Sequence, residues 1–310
     1  MNAPLTNVGS RTEAYGPIEW TLTLAIGLIW GSAFLWIALG VDDLSPGVVA
    51  FGRVVLGTAS LAAFPSARKW IRREDLGRVI AVAVVGNAAP ALLFAIAETD
   101  LDSAVAGMIT SGTPLLSLVV ASLMLRRLPG RFQAVGIGLG FAGIVLMTWP
   151  SLRGVDAAPL GVALVFLATI GYGISGNLLV PLQQRYGGPA VTLWALGVSS
   201  IVLAPFGLLT WSDSDFTASA VIAVVILGVV GTGIARSLAA TLAGRAGAPR
   251  MSTTTYLIPV VAIALGITFR GESVSPLAMI GVVVVLVGAF LASRAVPTSQ
   301  RDSQLTQAPE

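Results

Sequence analysis

Residues 217–243 read TASAVIAVVILGVVGTGIARSLAATLA, an apolar run in which Arg236 is the only charge. A helix needs about 20 mainly apolar residues to span a bilayer, so the run predicts a transmembrane helix. An arginine at the centre of such a helix costs roughly 2.5–3.5 kcal/mol on insertion scales. A compensating partner is therefore expected for Arg236.

The whole composition agrees with a membrane protein. Hydrophobic residues make up 55% of the 310 residues, charged residues only 11%, and the mean hydropathy is +0.87. Soluble domains carry about 25% charged residues. The isoelectric point is near 9.8, but the basic residues are dispersed between apolar runs and form no stripe, so no nucleic-acid partner is expected.

The missing residue types argue against enzyme chemistry. The chain has neither cysteine nor histidine, which excludes thiolate nucleophiles, disulfides and the commonest metal ligands. GISG at 173–176 matches a motif of intramembrane serine proteases, but such a serine needs a basic partner that this sequence does not supply. We expect a protein that is not an enzyme and that has no metal or cofactor.

Ten apolar runs predict an all-α integral membrane protein with ten transmembrane helices. They are found near 18–40, 46–65, 77–97, 102–125, 132–149, 158–180, 190–210, 217–243, 252–269 and 276–293. Residues 1–17 and 294–310 are polar and are predicted to be tails, the second of them disordered.

Loop charges predict the orientation. With the N-terminus in the cytoplasm, the outer loops hold only Arg153 and Arg270, whereas fourteen other lysines and arginines fall in the inner segments. Cytoplasmic loops are normally the basic ones. We expect a multi-pass protein of the inner membrane with both termini in the cytoplasm.

The two halves of the chain repeat at an offset of 145 residues. VVG occurs at 84–86 and again at 229–231, and the same offset pairs Pro114 with Pro259. Further glycines pair in the same way, which favours a duplication over chance.

Each half holds five of the predicted helices, residues 18–149 and residues 158–293. Because five is odd, the second half enters the membrane upside down. Inverted repeats of this kind are typical of secondary transporters, whose substrate site lies near the midplane between the halves.

Several short motifs carry a family resemblance. WGSAF lies within the first helix at 30–34, and RGES follows the ninth at 270–273. A proline in the fourth and ninth helices and a glycine pair in the fifth and tenth complete the pattern; these are Pro114, Gly136, Gly143, Pro259, Gly281 and Gly288. Over residues 18–293 the chain resembles the ten-helix EamA branch of the drug/metabolite transporter superfamily.

The resemblance implies a carrier or exporter of small metabolites, often amino acids. One departure is visible, because Arg127 stands in the first half where the second half has Glu272. The acid of the second-half turn is therefore not duplicated.

Few polar, aromatic or proline residues lie inside the predicted spans, and these few are candidate substrate contacts. They are Trp30, Ser32, Asn87, Thr110, Pro114, Tyr172, Asn177, Thr232, Thr255 and Pro259. A mid-helix proline frees the carbonyl four residues earlier, here those of Thr110 and Thr255. Such a carbonyl either binds a ligand donor or is satisfied by a nearby hydroxyl at a simple kink; both readings stay open.

Arg53 and Arg236 are the strongest candidates. Neither is duplicated in the other half, and no acid lies mid-span to neutralise them. We hypothesise that Arg236, and less firmly Arg53, faces a central cavity and attracts a carboxylate or phosphate. The alternative is that they snorkel or cap helix ends.

The charged residues in and near the predicted spans also indicate how transport is driven. Proton-coupled carriers commonly use a buried carboxylate or histidine, whereas Glu19 and Glu98 lie at helix ends. A facilitator or exchanger of a small metabolite, such as an amino acid, is the first interpretation. A multidrug exporter with an aromatic-lined cavity is the alternative. The partners are the substrate and the lipid bilayer, and the sequence leaves monomer and homodimer open.

Overall fold

A computed structural model describes residues 16–124, 126, 128–153, 158–246 and 252–294, and every regular element in these ranges is helical. The all-helical architecture predicted from the sequence is confirmed. The predicted tails lie outside the described residues except at their inner ends, and Arg127 also lies outside them.

The first half of the chain forms seven α-helices. They are α1 (Pro17–Val41), α2 (Pro46–Ala62), α3 (Arg73–Ala83), α4 (Ala89–Ala97), α5 (Ser103–Thr110), α6 (Thr113–Met124) and α7 (Arg131–Arg153). The described residues of the second half form six, namely α8 (Pro159–Tyr186), α9 (Gly188–Leu209), α10 (Ala218–Ile226), α11 (Ala235–Ala246), α12 (Ile258–Arg270) and α13 (Pro276–Arg294).

Two π-helical segments join consecutive α-helices. Val84–Ala88 connects α3 to α4, and Leu227–Ile234 connects α10 to α11. Short 3₁₀ turns lie at Pro65–Ala67, Trp211–Asp213 and Ser252–Tyr256. Counted through the π segments, α3–α4 and α10–α11 are each one long helix with a widened turn.

Among the residues that the structure describes, seven helical stretches are long and apolar enough to cross a membrane. They are Pro17–Val41, Arg73–Ala97, Ser103–Met124, Arg131–Leu152, Pro159–Tyr186, Gly188–Leu209 and Ala218–Ala239. Three shorter apolar helices accompany them, Pro46–Ala62, Thr254–Arg270 and Pro276–Ala292. Large apolar side chains such as Ile201 and Leu209 are 75% and 80% exposed, as expected of a surface that faces lipid.

The two prolines begin helices instead of bending them. Pro114 is the second residue of α6, and Pro259 is the second residue of α12. The helices are therefore interrupted before each proline, where a kink within one helix was expected. A proline in the first turn of a helix removes no hydrogen bond. The Thr113 hydroxyl donates to the Thr110 carbonyl at 2.6 Å, which satisfies the first of the two carbonyls expected to be freed.

Glycines bring α7 and α13 into backbone contact. A Cβ atom added to Gly136 would lie 2.6 Å from the carbonyl oxygen of Gly288, and one added to Gly143 would lie 2.7 Å from that of Gly281. The low-numbered glycine of α7 thus faces the high-numbered glycine of α13, so the helices are antiparallel. Small residues permit this close approach in membranes, where dispersion contacts drive helix association.

Candidate substrate site

Two helix faces of small residues meet at the first buried arginine. Arg53 and Gly57 lie on α2, and Gly228 and Thr232 lie on the second π segment. A Cβ atom on Gly228 would lie 3.1 Å from the Arg53 carbonyl oxygen, and one on Gly57 would lie 3.0 Å from Cγ2 of Thr232. This close packing places Arg53 Nε 3.3 Å from Thr232 Oγ1, to which it donates. Arg53 is 6% exposed.

The second arginine reaches across to the first half of the chain. Arg236 is half-buried, and its Nη2 donates to the carbonyl oxygen of Gly86 over 3.5 Å, a long bond. Its Cζ atom lies 5.9 Å from the ring centroid of Tyr172, within reach of a cation–π interaction. Arg53 and Arg236 are also close enough to repel one another electrostatically.

The π segments explain why these groups converge. In the first, Asn87 Nδ2 donates to the Val82 carbonyl at 3.3 Å, and in the second, Thr232 Oγ1 donates to the Leu227 carbonyl at 2.9 Å. Each polar side chain thus bonds the carbonyl five residues before it, which suits a widened turn. π turns inside α-helices occur often at functional sites.

An aromatic row extends from the arginines toward α1. Tyr172 stacks on Phe94 with centroids 5.9 Å apart, and Phe94 meets Phe34 edge-on at 5.6 Å. Gly86 lets the first π segment approach α8 closely, because a Cβ there would collide with Ser175 of α8. We call Arg53, Tyr172, Thr232 and Arg236 the arginine cluster.

The arginine cluster contains four of the twelve residues predicted from the sequence, and Asn87 adjoins it next to Gly86. No ion pair neutralises either arginine within the described residues. The cluster can therefore bind an anionic group through guanidinium donors, with the aromatic row beside it for an apolar group.

The other predicted residues lie elsewhere or are engaged locally. Asn177 Nδ2 donates to Ser117 on α6, to the carbonyl oxygen at 3.0 Å and to Oγ at 3.2 Å. Ser32 and Thr110 donate to carbonyls within their own helices, at 2.9 Å and 2.8 Å.

Four predicted positions remain. Pro114 lies in the first turn of α6. Trp30 is partly buried and packs beside Ile26 and Leu242. Thr255 and Pro259 are buried at the join between the 3₁₀ turn and α12.

Sequence reasoning missed the burial of Glu98. This residue does follow α4 directly, as expected of a helix end, but it is only 5% exposed. Both carboxylate oxygens lack a hydrogen-bond partner among the described residues, as does Oδ1 of Asn87. Burial raises the pKa of the Glu98 carboxyl well above its ordinary value, against the charge of Arg53, which lowers it. The burial of Glu98 is visible only in the fold, because the polar sequence AETD at 97–100 is typical of an exposed loop.

Glu272 of the RGES motif also has a role that sequence analysis left open. Its Oε1 accepts from Ser103 N at 2.9 Å and from Ser103 Oγ at 2.7 Å, and its Oε2 accepts from Ala104 N at 2.8 Å. Glu272 thus caps the N-terminus of α5. Two residues before Glu272, Arg270 forms a bidentate ion pair with Asp42 at the end of α1.

No metal site is visible in the part of the chain that the structure describes. Groups of three or more His, Cys, Asp or Glu side chains that could hold a metal ion are absent from it. The chemistry available at the arginine cluster is hydrogen bonding and charge attraction.

Comparison with known proteins identifies the family. The sequence model of the EamA-like transporter family matches residues 18–149 and 159–294. The chain belongs to this family. The resemblance drawn from WGSAF, RGES and the paired prolines and glycines is thereby confirmed, and membership indicates a transporter and not an enzyme.

Relatives of this EamA-like transporter are similar over nearly their whole length. An "Uncharacterized transporter" of Archaeoglobus fulgidus is 25% identical over 276 residues, covering 89% of this chain and 99% of the relative. A "Probable terminal-alkyne amino-acid exporter" of Streptantibioticus cattleyicolor is 25% identical over 281 residues, covering 89% and 93%.

A solved structure shares the fold. The crystal structure of another protein superposes on this chain with a TM-score of 0.59 at 15% sequence identity, and the match covers 94% of this chain and 99% of the other. At that identity the likeness concerns the architecture alone.

Proposed function

We propose that this EamA-like protein is a secondary carrier of a small metabolite with an anionic group, most readily an amino acid. It is an exporter, facilitator or exchanger that works by alternating access. The observation that carries the proposal is the pair of arginines, Arg53 and Arg236, inside apolar helices with no carboxylate paired to either in the described residues. A buried cation without a counter-ion is costly, and a substrate carboxylate would relieve that cost.

The alternating-access mechanism rests on an inverted repeat of two five-helix halves, which we propose for ten membrane helices. The contacts of Gly136 with Gly288 and of Gly143 with Gly281 are reciprocal, because Gly281 and Gly288 lie 145 positions after Gly136 and Gly143. Reciprocal contacts of this form are what a two-fold axis produces. The antiparallel run of α7 and α13 supports an axis in the membrane plane.

The amino-acid substrate is supported by chemistry and by one relative. The arginine cluster offers guanidinium donors to a carboxylate, and guanidinium groups bind carboxylates with two parallel hydrogen bonds. The aromatic row of Phe34, Phe94 and Tyr172 offers an apolar surface beside them. The name of the Streptantibioticus relative refers to export of a terminal-alkyne amino acid.

We further propose that the protein lies in the inner membrane with both termini in the cytoplasm. The distribution of basic residues between the two sets of loops supports this orientation, since positively charged loops stay on the cytoplasmic side.

The alternative function is multidrug export, which the aromatic row favours. The two functions differ in the charge of the substrate, because unpaired arginines repel a lipophilic cation. The purified protein in proteoliposomes should exchange labelled amino acids across the membrane and should not exchange labelled tetraphenylphosphonium. Exchange of the cation alone would support the multidrug exporter and contradict our proposal.

A further inference from the structure

The Glu98 carboxyl is buried at the end of the molecule where α1, α4 and α12 terminate. Its backbone N–H continues the helix to the Phe94 carbonyl at 2.9 Å. Its two carboxylate oxygens, in contrast, meet no donor from the described residues and are shielded from solvent. A buried polar group without a partner needs an explanation, and the arginine cluster does not supply one.

Three charged groups face Glu98 from the elements packed around it. Arg53 approaches from α2, and Arg270 and Glu272 approach from the end of α12 and the turn after it. Arg53 and Arg270 favour the carboxylate, whereas Glu272 disfavours it. Each arginine is engaged with another group, Arg53 with Thr232 and Arg270 with Asp42.

Burial decides between these influences. An ionised carboxylate that accepts no hydrogen bond in an apolar interior carries a large desolvation penalty, and such groups take up a proton instead. Burial is the largest influence on Glu98 and raises its pKa. Burial without a hydrogen-bond donor therefore favours the neutral carboxylic acid at Glu98 in this conformation.

Contacts between the two halves of the chain enclose this end of the molecule. Arg270 pairs with Asp42, and Glu272 caps α5 through Ser103 and Ala104. Alternating access requires the halves to separate at each end in turn. Separation at this end breaks these contacts and admits water to Glu98.

We propose that Glu98 is a proton-binding site that couples transport to the proton gradient, which rests on the proposed function as a carrier. Glu98 holds its proton while both ends are closed. When the end opens, the carboxyl O–H bond breaks, the proton passes to water on that side and the electron pair stays on the carboxylate oxygen; the reverse step reloads the proton. When the opposite end opens, Glu98 exchanges its proton with the other side through water that enters the arginine cluster at Arg53. Arg53 attracts an anionic substrate more strongly when Glu98 is neutral, so proton and substrate move together. The carrier is thus proton-coupled and not a simple facilitator.

The proposal is tested with Glu98→Gln, which keeps the shape of the side chain and mimics its neutral form. The matched control is Asp100→Asn, an exposed carboxyl two residues further on. Proteoliposomes holding each protein receive labelled L-amino acids with and without an imposed pH gradient. We expect the gradient to drive accumulation by the wild type and by Asp100→Asn. Glu98→Gln should retain exchange without a gradient and show no gradient-driven accumulation.

Infrared spectroscopy provides a readout that does not depend on knowing the substrate. The difference spectrum between wild type and Glu98→Gln at pH 7 should contain the carbonyl stretch of a protonated carboxylic acid. A carboxylate band in its place would overturn the proposal, as would full gradient-driven accumulation by Glu98→Gln. Failure of the wild type to exchange any amino acid would contradict the proposed amino-acid function, while the infrared result would still decide whether Glu98 holds a proton.

Discussion

Asn87 and Thr232 lie 145 positions apart, and each donates its side chain to the carbonyl five residues before it inside a π segment. The acceptors, Val82 and Leu227, are themselves 145 positions apart. The two halves therefore build the same widened turn with different residue types. In the second half the hydroxyl has an additional partner, because it accepts from Arg53.

Replacing Thr232 by valine should destabilise the protein while keeping the shape of the side chain. The change leaves Arg53 Nε without its hydrogen-bond partner inside the protein, and an unsatisfied buried donor costs about 1–3 kcal/mol. Thr241→Val is the matched control, since its exposed hydroxyl donates only to Ser237 of its own helix. Thermal unfolding in detergent measures both variants. Equal melting temperatures for the two would contradict the bond between Arg53 and Thr232.

Replacing Gly288 by alanine should force α7 and α13 apart. The new Cβ would lie 2.5 Å from the backbone nitrogen of Gly140 and 2.6 Å from the carbonyl oxygen of Gly136. Overpacking of this kind costs about 1–3 kcal/mol. Gly138→Ala is the control, because that position on α7 has open space around it and alanine favours a helix by about 0.5–1 kcal/mol over glycine. Gly288→Ala should lower the melting temperature and Gly138→Ala should not; the opposite order would refute the contact.

The stability of the protein should depend on pH through Glu98. Its native pKa is raised, so its neutral form contributes stability that is fully present below the unfolded value of about 4.3 and is lost as the pH rises through the native pKa. Glutamine cannot ionise. The melting temperature of Glu98→Gln relative to the wild type should therefore increase with pH over this window, and a difference that is constant with pH would contradict the buried acid.

Opposite orientation of the two halves can be tested with single cysteines, because the natural chain has none. Trp70 and Asp215 are 145 positions apart and both are exposed. In intact cells a membrane-impermeant maleimide should label Asp215→Cys, and should label Trp70→Cys only after the membrane is made permeable. Labelling of both from the same side would refute the inverted repeat.

Much of the fold could be predicted from local sequence. Helix positions follow from runs of apolar residues, and glycines at fixed spacing mark α7 and α13. Arg53 and Thr232 stand out as polar residues inside apolar spans. These features depend on local composition, which a sequence shows, whereas the contact of α7 with α13 and that of Arg53 with Thr232 are seen only in the structure.

The remaining features depend on contacts between distant segments. Glu98 follows the end of a helix and would be expected at the surface, but the fold buries it near Arg53, Arg270 and Glu272, which are distant from it in sequence. The cap of α5 by Glu272 joins residues 169 positions apart in sequence. The proline motifs predicted bends, whereas the break between α5 and α6 also uses Ser111 and Gly112, which form a turn.

The most direct test of the central claim is counterflow of labelled amino acids in proteoliposomes, comparing the wild type with Arg236→Ala. Arg131→Ala is the control, since Arg131 is an exposed arginine at the start of α7. Arg236→Lys keeps the charge but loses the planar donors that bind a carboxylate. We expect counterflow by the wild type and by Arg131→Ala, strongly reduced counterflow by Arg236→Lys, and no counterflow by correctly folded Arg236→Ala. Undiminished counterflow by Arg236→Ala would contradict the proposed role of Arg236 and would remove it from the substrate pathway.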